Sequence, residues 1–259
     1  MIIKNDLPFP EGFSVITEVD GVNSEMGVGF GILNLEEGKK FRHVHRDREA
    51  AYLLVKGEVR LRWDKTGETM RRESLLDEKP GILHVSVSSE VEIEGLTGGA
   101  ELAVFSAKNG NSFEPAFHKG ADLRSIWLGS GNVGEETRRE LRIGADNENA
   151  PFSQMTFGEV VNLPGKWSSY PPHFHDHPEI YHYRFDRDSG FGYAGIGDEV
   201  YRVTGGDTLL IPPGKTHPQV SAPGYAMVYL WVMPHLPDNR FGSTSRQFVP
   251  EHSWVMDEE

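Results

Sequence analysis

With 259 residues, no cysteine and a formal charge of −13 at pH 7, the chain can bury one large core or two smaller ones, but it can build neither a disulfide framework nor a thiolate metal site. The acidic balance repels phosphate backbones and anionic membrane surfaces, so the expected partner is a small molecule, with no nucleic acid and no membrane. An anionic substrate would then need a local cation, either a metal ion or a positioned arginine.

The N-terminal stretch MIIKNDLPFPEGFSV lacks a basic start followed by an apolar run, and nowhere do eighteen apolar residues occur in succession. A soluble, unexported protein in a reducing cytoplasm is expected. The segment HVHRDRE then offers His43, His45 and Glu49, followed by AAYLLVKGEVRLRW and ILHVSVSSEVEIEG, apolar runs bounded by turn residues that read as strands. The stretch KNGNSFEPAFHKG and the later GSGNVGEETRRE are polar and glycine-rich, which suits a connector near residues 108 to 140. EETRRELRI carries a weak helical period, with too few apolar positions for a convincing buried face.

Beyond the connector, HFHDHPE repeats the H-x-H-x-x-x-E spacing of the first half at an offset of 130 residues, in His173, His175 and Glu179. Two equivalent β-barrels are the simple explanation, with the boundary near 125. In a strand His173 and His175 point the same way about 7 Å apart, close enough for both rings to reach one ion at roughly 2.1 Å. Glu179 stays in phase if the strand continues past Pro178. His177, between Asp176 and Pro178, reads as a loop residue, and His182 falls on the opposite face from Glu179 and Tyr181. Further on, GDTLLIPPGKTH combines a buried strand with a rigid Pro-Pro-Gly turn that can aim His217 into a barrel. In the first half, laying KPGILH on PPGKTH would make His84 the matching ligand, whereas laying ILHVSV on LLIPPG leaves Val91 there. The second is favoured, because ILHVSVSSEVEI alternates like one continuous strand.

H-x-H-x-x-x-E followed by G-x5-P-x-G-x-x-H resembles the two-part motif of the cupin superfamily, here His173, His175, Glu179, then Gly206, Pro212, Gly214 and His217. Ser221 stands where the family usually has an asparagine that is not a ligand. The resemblance implies an all-β bicupin of two jelly-roll barrels, residues 1–125 without metal and 126–259 with it. It also implies a divalent ion, zinc first, with manganese, iron or nickel as alternatives, on His173, His175, Glu179 and His217. Within the superfamily, WSSYPPHFHD closely resembles the 5-deoxyglucuronate isomerases of inositol catabolism, and EIYHYRF, HPQVSAPGY and YLWVM extend the likeness over nearly the whole chain. The segment after Phe191 is shorter than in that family, and MPHLPDNR departs from its usual ending.

The implied activity is aldose–ketose isomerisation of 5-deoxy-glucuronate to 5-dehydro-2-deoxy-gluconate, with 5-keto-4-deoxyuronate isomerases of pectin breakdown as the sister alternative. A metal-cupin dioxygenase or a non-catalytic sugar-binding cupin would carry the same ligand set. Glu179, Tyr181 and Tyr183 are the candidate catalytic groups, and Arg184 and Lys215 the candidate anchors for the carboxylate of a uronate-type sugar acid. The first barrel is expected to serve structure or self-association, and the chain to form a homo-oligomer.

Overall fold

A computed structural model describes residues 1–44 and 46–256. Strands and turns make up almost all of it, and its described helical segments are short 3-10 turns. The fold is all-β, as the glycine- and proline-punctuated apolar runs require. No described helix is long and apolar enough to cross a membrane. The chain divides into two compact units, one of Pro8–Leu123 with Glu148–Met155, the other of Met1–Leu7, Arg124–Asn147 and Thr156–Glu259. The crossover between Leu123 and Arg124 lies beside the boundary read near 125, but the division is not a single cut. Met1–Leu7 joins the second unit because Ile2 and Ile3 pair with Leu209 and Thr208, while Lys4 Nζ reaches Asp207 at 2.7 Å.

In the unit containing Pro8–Leu123, Arg48–Trp63 and Glu90–Lys108 pair antiparallel along most of their length, flanked by Gly29–Leu35 and Gly12–Thr17 on one side and by Ile82–Val85 and Ala116–His118 on the other. Ala50, Tyr52 and Leu54 enter one core; past register shifts around Lys56 and Gly57, so do Val59, Leu61 and Trp63. The shifts change which parity faces inward. The stretch ILHVSVSSEVEI is not one strand. It breaks into Ile82–Val85 and the start of Glu90–Lys108 at a turn where Ser88 takes φ 66° and the Ser89 N–H donates to the Ser86 carbonyl. Apolar alternation continues on both sides of that turn and conceals it.

The other unit sets a seven-stranded sheet, ordered Ile2–Ile3, Thr208–Ile211, Glu179–Phe185, Met227–Pro234, Met155–Asn162, Arg139–Ala145 and Ser125–Leu128, beside a four-stranded one carrying Phe191–Ile196 and Glu199–Thr204. Tyr181, Tyr183, Leu209, Ile211 and Tyr229 of the first sheet share one core with Ala194, Ile196 and Val203 of the second. This is sheet-on-sheet packing with alternate residues inward. EETRRELRI, weakly helical by period, supplies the strand Arg139–Ala145, in which Leu141 pairs with Val160. The stretch read as a connector likewise holds Ala116–His118 and Ser125–Leu128.

Candidate metal centre

His173 starts the two-residue strand His173–Phe174, which pairs with Gln247–Phe248, and Glu179 opens the strand Glu179–Phe185 opposite Ile211. His217 lies past the turn that follows Ile211. That turn is fastened to the histidine segment, since the Gly214 N–H donates to the His175 carbonyl at 2.8 Å. Gly214 has φ +73°, a left-handed conformation that favours glycine. The two motif segments, separate in sequence, are thus held together by backbone.

His175, Glu179 and His217 are buried, and their ligand atoms lie within 4.8 Å of one another. Each histidine donates its Nδ1–H to a main-chain carbonyl: His173 to Pro171 at 3.1 Å, His175 to His177 at 2.9 Å and His217 to Lys215 at 2.9 Å. A neutral imidazole carries one ring proton, so each Nε2 presents a bare lone pair. Glu179 Oε2 faces the Nε2 of His175 and that of His217, each at 3.3 Å. Acceptors converge on acceptors here, and His217 Nε2 is buried without a hydrogen-bond partner. Burial costs these groups unless something compensates, and a cation does so. Burial lowers the His217 pKa and takes His173 down to about 2, which keeps both rings unprotonated as ligation requires. His173 stands beside the tight group, its ring centroid 4.9 Å from that of His217. The cluster and the fold point to a divalent metal ion.

The cluster opens into a partly open pocket with a cavity volume of about 70 Å3. Tyr181 lines it, 4% exposed, its hydroxyl 2.9 Å from Ser169 Oγ, and neighbouring Tyr229 bonds Ser168 Oγ at 2.5 Å. The two serines of WSSYPP therefore fix two pocket phenols, and Pro171 of the same motif orients His173. Burial raises the Tyr181 pKa well above its ordinary value, with the Glu179 charge adding to the effect, so the phenol keeps its proton.

Three expected site residues lie elsewhere. Tyr183 is fully buried outside the cavity lining and donates to Gln219 Oε1 at 2.5 Å, a packing role. Arg184 is on the opposite strand face, where its guanidinium donates to His182 Nε2 and to the Tyr183 carbonyl. Strand alternation excludes it from the pocket. Lys215 is solvent-exposed and outside the lining. His177 Nε2–H donates to the Asn239 carbonyl, away from the cluster, as a loop residue would; its own carbonyl nevertheless orients His175. His182 is wholly buried on the far face and bonds Thr208 Oγ1. Two charged pocket residues escaped the sequence reading. Arg139 is in phase with Leu141, a relation hidden while RRELRI was read as helical, and Arg246 arrives through the pairing of Gln247–Phe248 with His173–Phe174.

In the first unit, Glu49 is fully buried and accepts from His84 Nε2 at 2.9 Å, from the Gln154 N–H at 2.6 Å and from Ser153 Oγ at 3.2 Å. His84 lies within its strand opposite Ala51, not beyond a turn as His217 does. His43 Nδ1 instead bonds the Tyr52 hydroxyl at 2.8 Å, among Phe13 and Phe41. His45 is outside the described residues.

Comparison with known proteins adds an independent line. A family model described as KduI/IolB family matches residues 1–255. A curated relative, the 5-deoxy-glucuronate isomerase of Geobacillus kaustophilus (strain HTA426), is 28% identical over 281 residues, covering 99% of this chain and 95% of its own. Among solved structures, an IolB-like protein from Salmonella typhimurium LT2 has a TM-score of 0.83 at 21% identity, covering 96% of this chain and 97% of its own. The Lactobacillus farciminis oxalate decarboxylase has a TM-score of 0.65 at 13% identity, covering 97% and 87%. At these identities the structural likenesses speak to fold alone, and they support the cupin fold.

Proposed function

The chain belongs to the KduI/IolB family, and from that premise we propose that it is an aldose–ketose isomerase acting on 5-deoxy-glucuronate, giving 5-dehydro-2-deoxy-gluconate, in inositol catabolism. The observation that carries the chemistry is the convergence of bare imidazole Nε2 atoms and Glu179 Oε2 in the wall of the pocket. His173, His175, Glu179 and His217 would hold the divalent ion. Three neutral imidazoles and one carboxylate suit zinc, with manganese, iron and nickel as alternatives. Such an ion supplies Lewis-acid polarisation of the substrate carbonyl and stabilises negative charge developing on its oxygen.

The side chains do the rest. Isomerisation moves a proton between adjacent carbons through an enediol, so one group must take the proton and return it. Glu179 is the one carboxylate among the described residues lining the cavity, and with Oε2 turned to the imidazoles its Oε1 is left to carry that proton. Tyr181, protonated and held by Ser169, donates a hydrogen bond to the substrate oxygen on which charge builds. Apolar lining from Leu141, Val160 and Trp231 keeps water from competing.

The lack of cysteine fits a reducing compartment, and we place the enzyme in the cytoplasm. Self-association is part of the same reading: Ser125–Leu128 is the edge of the seven-stranded sheet and exposes Ile126 and Trp127.

The test is to incubate metal-loaded protein with 5-deoxyglucuronate and, separately, with 5-keto-4-deoxyuronate, following the position of the carbonyl by NMR. Conversion of the first is expected. Conversion of the second alone would move the chain to the sister activity, and conversion of neither would overturn the isomerase reading.

A further inference from the structure

Acidic residues outnumber basic ones in this chain, and arginines elsewhere sit among carboxylates: Arg142 is buried between Glu140 at 2.9 Å and Glu159 at 2.8 Å, and Arg60, Arg62 and Arg124 each reach a glutamate or aspartate. The two arginines of the cavity differ. Arg139 is 8% exposed and bonds a neutral acceptor, the Thr137 carbonyl, at 2.7 Å. Half-buried Arg246 makes no hydrogen bond or ion pair with any described residue. Neither has a carboxylate within ion-pair distance among the described residues.

A guanidinium withdrawn from water without a counter-charge is costly. Burial, with the nearby charge of Arg246 acting in the same direction, pulls the Arg139 pKa below its ordinary range. Both groups share one pocket with the single carboxylate of Glu179, which the histidines already face. The pocket is therefore short of negative charge at one place, although the protein as a whole is acidic.

We propose that Arg139 and Arg246 together form the subsite that receives the carboxylate of a sugar acid, so that the far end of the same molecule is presented to Glu179 and the histidines. This rests on the isomerase reading for the identity of the substrate. In 5-deoxyglucuronate the carboxylate and the carbonyl carbon terminate opposite ends of the chain, and anchoring one end selects which carbon meets the cluster. The guanidinium fork matches a carboxylate in two parallel hydrogen bonds, which a lysine does not reproduce. The subsite also supplies discrimination: an uncharged sugar leaves both guanidinium groups unpaired, a loss that a change in apolar contact would not produce.

The experiment compares metal-loaded wild-type protein with Arg246→Gln and Arg139→Lys, measuring KM for 5-deoxyglucuronate and for uncharged 5-deoxyglucose, and calorimetric binding of glucuronate and of glucose. Arg246 is half-buried, so its substitution disturbs the core least. For Arg246→Gln we expect a rise in KM and a weakening of glucuronate binding of at least about 30-fold, as for loss of a charged hydrogen-bonding partner, with the uncharged sugars unaffected. Arg139→Lys keeps the charge and loses the fork, and an intermediate weakening is expected. Equal weakening for charged and uncharged sugars, unchanged glucuronate binding in both variants, or the same loss in Lys215→Gln would overturn the assignment. If wild-type protein binds glucuronate through these arginines but isomerises nothing, the subsite stands and the isomerase reading falls.

Discussion

At the scale of single residues, the tautomers of the histidines matter most. A donated Nδ1–H fixes which nitrogen is bare, and it does so for His173, His175 and His217 through three main-chain carbonyls. His43 is placed differently: its Nδ1 is taken by Tyr52, and Glu49 is occupied by His84, Ser153 and Gln154. Replacing His217 or His173 with alanine is accordingly expected to abolish metal retention through gel filtration, read as bound metal per chain, while His43→Ala retains the wild-type content. Equal loss from the His43 variant would establish a second metal site in the first unit. The members of the histidine–glutamate cluster were legible in the sequence from the H-x-H-x-x-x-E spacing and the proline-fixed turn, although the strand there is only His173–Phe174 and His175 lies beyond it. The pocket arginines were not. Arg184 is near the motif in sequence, but strand alternation carries it to the other face; Arg139 lies in a segment whose weak helical period conceals a strand, and Arg246 in one with no recognisable period.

At the scale of elements, the Pro-Pro-Gly turn fastens together the two segments that supply the histidine–glutamate cluster. Gly214 carries this connection through its conformation and through its N–H on the His175 carbonyl. A Cβ added at Gly214 would meet nothing within 4 Å, so Gly214→Ala introduces backbone strain without a clash. The expected cost is about 1–2 kcal/mol. Thermal melts should report that loss, and metal titration should show weaker binding, since strain relieved at the turn displaces His217 relative to His175. Wild-type metal affinity in a destabilised variant would show that the turn supports the fold without aiming the ligand. The motif WSSYPP has a comparable explanation in its contacts: its serines hold Tyr181 and Tyr229, and Pro171 orients His173. Its specificity was visible in the sequence, but its physical task was not, because the tyrosines it holds come from other strands.

At the scale of the whole molecule, buried histidines couple folding to pH. Burial, the largest cause in each case, brings His43 and His235 to about 4 and His173 to about 2, whereas in the unfolded chain each titrates near 6.5. The unfolded chain thus gains protons that the folded chain refuses. Stability is fully present above pH 6.5 and is lost as pH falls toward 4, by up to about 1.4 kcal/mol per pH unit per histidine, less for His43, which keeps some contact with solvent. Urea unfolding of metal-free protein between pH 7 and 4.5 should show this decline. A flat profile from pH 6.5 to 5 would contradict the assigned burial. The all-β architecture and the repeat were readable from apolar runs and matched spacings. The assignment of Met1–Leu7 to the later unit was not, because it depends on the pairing of Ile2 and Ile3 with residues more than two hundred positions away.

The central claim is that the histidine–glutamate convergence, loaded with a divalent ion, moves a proton between neighbouring carbons of a sugar acid. Incubation with 5-deoxyglucuronate in D2O tests it most directly, with NMR following both the carbonyl and the appearance of deuterium on the carbon beside it. The account predicts conversion with solvent deuterium entering that carbon, stopping when a chelator removes the metal, returning when zinc is restored, and absent in His217→Ala. Undiminished conversion by fully metal-free protein, or deuterium entry that His217→Ala leaves unchanged, would contradict it.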